Sequence, residues 1–146
     1  MDSLSLPIQL LDQSNQLPEY AHEGDAGMDL RATEGLVLEP FERALIPTGL
    51  SIALPEGYAG FVLPRSGLAV KHGFTLVNTP GLIDSNYRGE LKIIGINLDC
   101  KRSFTIQPND RIAQLVILRV EQAALVLKST LDDTERGTGG FGSSGV

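Results

Sequence analysis

Three runs in this sequence combine residue types that can handle a phosphorylated small molecule. Pro64-Arg65-Ser66-Gly67-Leu68-Ala69 sets a guanidinium, a hydroxyl and a glycine in a row after an apolar run. The arginine can fork onto phosphate oxygens, the hydroxyl can donate to another, and the glycine leaves backbone N–H groups open to approach. The plainer alternative is a helix start capped by Ser66 beside a surface arginine. Gly81-Leu82-Ile83-Asp84-Ser85-Asn86-Tyr87-Arg88-Gly89-Glu90 offers a carboxylate after two apolar residues, held on a rigid edge as a general base for water needs to be. Tyr87 can lay a flat ring against a sugar or a base. A β-turn in which Asp84 bonds the backbone two residues on accounts for the same run. Arg136-Gly137-Thr138-Gly139-Gly140-Phe141-Gly142-Ser143-Ser144-Gly145 supplies amides and hydroxyls to wrap phosphates, a cation to neutralise them and an aromatic to cover a base. It lacks the lysine of a nucleotide-binding P-loop, and a flexible glycine-rich tail has the same composition.

The elements that must position these runs are strands. Leu36-Val37-Leu38 and the stretches 44–54, 60–63, 74–77, 91–98 and 103–106 are short, rich in Val, Ile, Leu and Thr, and ended by turn residues, the rhythm of an all-β sandwich or barrel. Residues 111–121 are long enough for a helix, but Ile112, Val116, Ile117 and Val120 are β-branched and Asn109-Asp110 supplies a turn, which predicts a buried strand. One short helix is predicted over 66–72. From Lys128 the chain turns polar and then glycine-rich, too poor in apolar area to offset its ordering entropy. The organisation predicted is a body over 1–127 and an arm over 128–146.

A length of 146 residues with 42% apolar and 21% charged residues describes one globular domain. The net charge of −6 argues against nucleic acid as a partner, though local arginines and amides can still hold a small anion. No apolar stretch reaches the roughly 18 residues of a spanning helix and no signal sequence opens the chain, so neither a membrane nor export is expected and the location predicted is cytoplasmic. Cys100 reads as a free thiol without a role, and neither His22 nor His72 sits in one of these runs, so neither is assigned a role.

Ala26-Gly27-Met28-Asp29-Leu30, the 64–69 run, Asn78 with the 81–90 run, Asp110-Arg111-Ile112-Ala113-Gln114-Leu115 and the 136–145 tail together resemble, in order and over almost the whole chain, the five motifs of the trimeric dUTPase family. The resemblance implies an all-β, jelly-roll-like antiparallel β-barrel with one short helix, assembled as a homotrimer whose sites draw on all three subunits, the arm crossing to a neighbour. It implies hydrolysis of dUTP to dUMP and pyrophosphate, which limits uracil in DNA and supplies dUMP for dTMP synthesis. Asp84 matches the catalytic carboxylate that orients water onto the α-phosphorus. Mg2+ is the implied cofactor, held mainly by substrate phosphates, with Asp29 reaching it through water.

By the same resemblance Asn78 and backbone groups of a 78–87 hairpin, Gly81 and Ile83 among them, read the uracil edge, and Tyr87 leaves no room for a 2′-hydroxyl. Arg65, Ser66, Gly67, Gln114 and Arg136 match phosphate contacts, Phe141 the lid over uracil, with Gly140 and Gly142 in the same loop. Asn86 stands where many members carry an acid, and Met28 where an aromatic is frequent. The nearest alternative, dCTP deaminase, needs a glutamate at the position aligned with Ile94, which has no proton to give. A nucleotide sensor on the same barrel is the alternative from another class, although the presence of both Asp84 and the tail points to turnover.

Overall fold

The computed structural model describes residues 4–145. Its strands are β1 (Ile8–Leu10), β2 (Met28–Arg31), β3 (Leu36–Leu38), β4 (Arg43–Pro47), β5 (Leu50–Ile52), β6 (Tyr58–Leu63), β7 (Phe74–Leu76), β8 (Gly81–Ile83), β9 (Lys92–Asn97), β10 (Phe104–Ile106) and β11 (Arg111–Arg119), with one helix, α1 (Ser66–His72), between β6 and β7. Every pairing is antiparallel, in sheets ordered β1-β5, β10-β3, β2-β11-β6-β8 and β4-β9-β7. The expectation of a mostly β chain with one short helix therefore holds. Among the described residues no helix is long and apolar enough to cross a membrane.

Local chemistry accounts for the departures from the sequence reading. The 44–54 run divides into β4 and β5, which enter different sheets. Between them Gly49 sits at φ 68°, and a Cβ there would collide with the Asn15 amide, which donates to the Gly49 carbonyl at 3.1 Å. Strand β11 is buried at Ile112, Ala113 and Leu115 but exposed by Leu118 and Arg119, so it leaves the core along its own length. Ser66 is not a cap. Arg65 holds the N-cap position in extended conformation without a side-chain cap bond, and Ser66 is the first helical residue. The segment 78–87 is not a simple hairpin, because β7 pairs with β9 whereas β8 pairs with β6.

The core is aliphatic and comes from the inward residues of several sheets, including Leu30, Leu38, Ile46, Leu91, Ile93, Ile106, Ile112 and Leu115 around Phe74. Gly95 on β9 leaves space for that ring: a Cβ there would lie 2.7 Å from Phe74 Cζ. One polar side chain is fully enclosed. Asn97 Nδ2 donates to the carbonyls of Leu38 (3.0 Å) and Arg102 (2.8 Å), and its Oδ1 accepts from the Asp99 N–H (2.9 Å), so one amide ties β9, β3 and the turn before β10. Asn97→Ala would orphan those groups and is expected to lower stability by about 3 kcal/mol, measured by urea unfolding.

The sheet β2-β11-β6-β8 organises several of the runs read above. Gln114 on β11 lies opposite Asp29 of β2 on one side and Leu63 of β6 on the other. Across β6, Gly60 faces Ile83 and Val62 faces Gly81, so Asp84 follows at the start of β6 while Arg65 follows its end. Beyond Arg119 the chain leaves the body. The Val120 N–H still bonds the Gly57 carbonyl at 2.9 Å, but residues 121–138 are exposed, with Leu125 and Leu127 almost bare.

Candidate active site

The register of that sheet brings three of the sequence runs to one place. Asp29, half-buried on β2, accepts from Arg65 Nε at Oδ1 and from Arg111 Nη1 at Oδ2, both at 3.2 Å. Arg65 Nη1 also donates to the Arg111 carbonyl at 3.1 Å, and Gln114 Nε2 to the Pro64 carbonyl at 3.0 Å, which pins the start of the 64–69 run to β11. Gly27 admits the Gln114 amide, since a Cβ there would stand 2.7 Å from Oε1. The two guanidiniums outnumber the one carboxylate they share, although Asp25 lines the same cavity and offsets the excess. Around them lies a cavity of about 510 Å³ whose walls include Ser66 and Gly67 at the start of α1. A Cβ built on Gly67 meets nothing within 4 Å, so the chain itself does not require glycine there. An open face beside two guanidiniums suits a multiply charged phosphate.

Asp84 stands elsewhere. It follows β8 directly, is exposed, and among the described residues its carboxylate has neither a hydrogen bond nor an ion pair. The turn after it is closed by the main chain, from the Tyr87 N–H to the Asp84 carbonyl at 3.1 Å, so the Asp84 side chain is not used up by the turn. Cavities of about 460 and 310 Å³ meet at Asp84; the smaller is lined by Ile83, Tyr87 and Ile94 as well. The Tyr87 hydroxyl donates to the Glu90 carbonyl at 2.9 Å. Asn78 is exposed, and its amide lies beside the buried Gly81, 3.4 Å from where a Cβ on that residue would be.

The two groups of residues do not meet within one subunit. Asp84 comes alongside Ala59, six residues before Arg65 on the β6 path, a separation of about 20 Å at the rise of a strand. The third group meets neither. Arg136 Nε folds back onto the Gly139 carbonyl at 2.7 Å, Gly140 is half-buried within that turn, Gly142 has φ 87°, and Phe141 is fully exposed. The walls of the cavities at Asp29 and Asp84 are built from body residues up to Gln122.

Comparison with known proteins gives the family in which these runs occur. The sequence profile of the dUTPase family matches residues 13–145. The chain belongs to the dUTPase family. It is 54% identical over 144 residues to the deoxyuridine 5'-triphosphate nucleotidohydrolase of Leifsonia xyli subsp. xyli, covering 99% of this chain and 92% of that one. The protein of the same name from Fusobacterium nucleatum subsp. nucleatum is 53% identical, covering 92% of each. Among solved structures, the dUTPase of Staphylococcus bacteriophage 80alpha with dUPNHPP superposes with a TM-score of 0.89 at 33% identity, over 99% of this chain and 100% of that one. Membership of the dUTPase family makes the protein an enzyme, a hydrolase of nucleotide metabolism.

The dUTPase motifs drew attention to Asp29, Arg65 and Gln114 but left Arg111 without a role, although its guanidinium is as close to Asp29 as that of Arg65. Its signal in sequence was only its place in the 110–115 run; the contact depends on β2 and β11 lying side by side. For a divalent cation the donor set is sparse. Among the described residues no three His, Cys, Asp or Glu side chains converge. Asp29 keeps carboxylate lone pairs beyond the two its arginines occupy, which fits a magnesium ion carried by phosphates and reached through water.

Proposed function

We propose that the protein hydrolyses dUTP to dUMP and pyrophosphate at composite sites of a homotrimer, one wall from the Asp29 cavity of one subunit and the other from the Asp84 edge of its neighbour. The observation that carries the reading is the separation of about 20 Å along β6. It exceeds the few ångströms between the α- and γ-phosphorus atoms, so one subunit cannot hold the phosphates and present Asp84 to them. Trimer assembly joins the halves, and the body closes as a jelly-roll-like barrel.

In this site Arg65, the Ser66 hydroxyl, the Gly67 amide and Gln114 hold the phosphate chain. Arg65 is already oriented by Asp29, so little ordering is needed on binding. Mg2+, when bound, supplies charge neutralisation to the phosphates, with Asp29 as its nearest carboxylate. Asp84 accepts a hydrogen bond from water and aims its oxygen at the α-phosphorus. A P–O bond forms from water as the bond to the bridging oxygen breaks, pyrophosphate leaves, and the water proton passes to the carboxylate and then to solvent. Asn78 and the backbone of Gly81 and Ile83 take the uracil edge, and Tyr87 lies under the deoxyribose. The arm, residues 128–146 in our division, reaches from a third subunit so that Arg136 and the amides of Gly140 and Gly142 close on the phosphates and Phe141 stacks on uracil. The exposure of Leu125, Leu127 and Phe141 in the lone chain supports an arm that lies on another surface. Turnover would serve to limit uracil in DNA and provide dUMP for dTMP synthesis, in the cytoplasm.

Ile94 lines the cavity beside Asp84 and Tyr87, so the position that deamination would give to a proton-carrying glutamate is apolar, which disfavours dCTP deamination. Pyrophosphate release from dUTP, dCTP, dTTP and UTP with Mg2+ tests the assignment. The expected result is turnover of dUTP at least about a thousandfold above the others in kcat/KM, the scale set by unpaired hydrogen bonds in a closed site. Binding of dUTP without release would identify a sensor instead.

A further inference from the structure

Tyr87 is an exposed side chain in a turn, yet its phenol has one defined seat. Its hydroxyl donates to the Glu90 carbonyl at 2.9 Å, and its ring lies directly against Gly89. A Cβ built on Gly89 would stand 2.6 Å from Cζ and 3.0 Å from Cε2 of Tyr87, and closer still to the hydroxyl oxygen. Real Cβ atoms do not tolerate such distances, so a side chain at 89 displaces the ring from this seat. No other atom group makes up the three nearest to that position. The backbone does not explain the glycine either, because Gly89 lies outside the left-handed region occupied by Gly49 and Gly73. The floor beneath the hydroxyl is firm. The Glu90 carboxylate accepts from the Gly49 N–H at 3.0 Å, the next residue's N–H donates to the Leu50 carbonyl at 2.7 Å, and the Thr48 hydroxyl donates to the Leu91 carbonyl at 2.6 Å.

We infer that Gly89 is a specificity-determining position: the missing side chain is the seat of the Tyr87 ring, and through that ring Gly89 sets how strongly the enzyme refuses a 2′-hydroxyl. The inference rests on the reading of Tyr87 given under Proposed function. Gly89 acts through Tyr87 and is a positioning residue, not a catalytic one. A ring pushed off position 89, whether by a tilt or by a change of rotamer, moves its hydroxyl away from the Glu90 carbonyl and shifts the sugar floor.

The test compares kcat/KM for dUTP and UTP, with Mg2+, in the wild type, Gly89→Ala, Tyr87→Leu and the double variant. Gly89 is exposed and at an ordinary φ, so Gly89→Ala folds. The expected result is a dUTP-to-UTP ratio lowered about tenfold or more by Gly89→Ala, mainly through a rise for UTP, and no further change when Gly89→Ala is added to Tyr87→Leu. A purely structural role would alter both substrates alike and leave the ratio where it was. If Tyr87→Leu lowers the ratio and Gly89→Ala does not, the inference about Gly89 is overturned while the reading of Tyr87 stands. If Tyr87→Leu leaves the ratio intact, the reading of Tyr87 itself fails. Additive effects in the double variant would show that Gly89 does not act through the ring, and would also overturn the inference.

Discussion

Asp84→Asn is expected to lower kcat for dUTP about a thousandfold, within the range that a positioned general base contributes, while KM stays within a few-fold of the wild type. The side chains are almost isosteric, and in the structure the Asp84 carboxylate has no partner among the described residues whose loss would disturb the fold. The substitution therefore removes a proton acceptor and little else. It leaves the cavity at Asp29 intact, because that cavity is bounded by other residues, Arg65, Arg111 and Gln114 among them. Pyrophosphate release under saturating dUTP, beside direct binding of a non-hydrolysable dUTP analogue, separates the two quantities. A variant that turns over at more than a tenth of the wild-type rate would remove Asp84 from the chemistry, and one that fails to bind would make it a structural residue.

The second large effect concerns who supplies which half. Asp84→Asn and Arg65→Ala proteins are each expected to be nearly inactive, yet unfolding them together and refolding the mixture should restore activity. A composite site works when its Asp29 half comes from an Asp84→Asn subunit and its Asp84 half from an Arg65→Ala subunit. With equal amounts and random assembly, about a quarter of the sites meet that condition, so about a quarter of wild-type activity should return. Sites contained within single subunits would yield none, since every subunit carries one lesion. Mass in solution, measured on the same samples, gives the number of subunits directly. The experiment thus separates a trimer with shared sites from one in which assembly is incidental.

Much of the local structure was legible because it depends on short-range chemistry. Valine, isoleucine and threonine runs between turn residues marked β3, β7, β9 and β10, and α1 spans the predicted residues 66–72. Strands β1 and β2 were missed as strands. Ile8–Leu10 is only three residues long, and Met28–Arg31 alternates polar and apolar residues too briefly to stand out. The division of the 44–54 run depended on Asn15, distant in sequence, filling the space above Gly49. Ser66 looked like a cap by residue type, but the chain enters α1 through Arg65, whose guanidinium is drawn to Asp29 and the Arg111 carbonyl.

By itself, then, the sequence determined a mostly β chain, the family to which it belongs and the residue types available for phosphate, base and water. Tertiary structure alone decided which of them are neighbours. Asp29, Arg65, Arg111 and Gln114 converge because β2, β11 and β6 lie side by side and β11 shifts register against β2 between Arg111 and Ala113, where a regular strand would turn Arg111 and Gln114 to opposite faces. Asp84 and Arg65 part because antiparallel pairing of β6 with β8 sends them to opposite ends of one strand. Pairing register is set by non-local contacts between segments far apart in the chain, and motif spacing along the sequence carries no record of it.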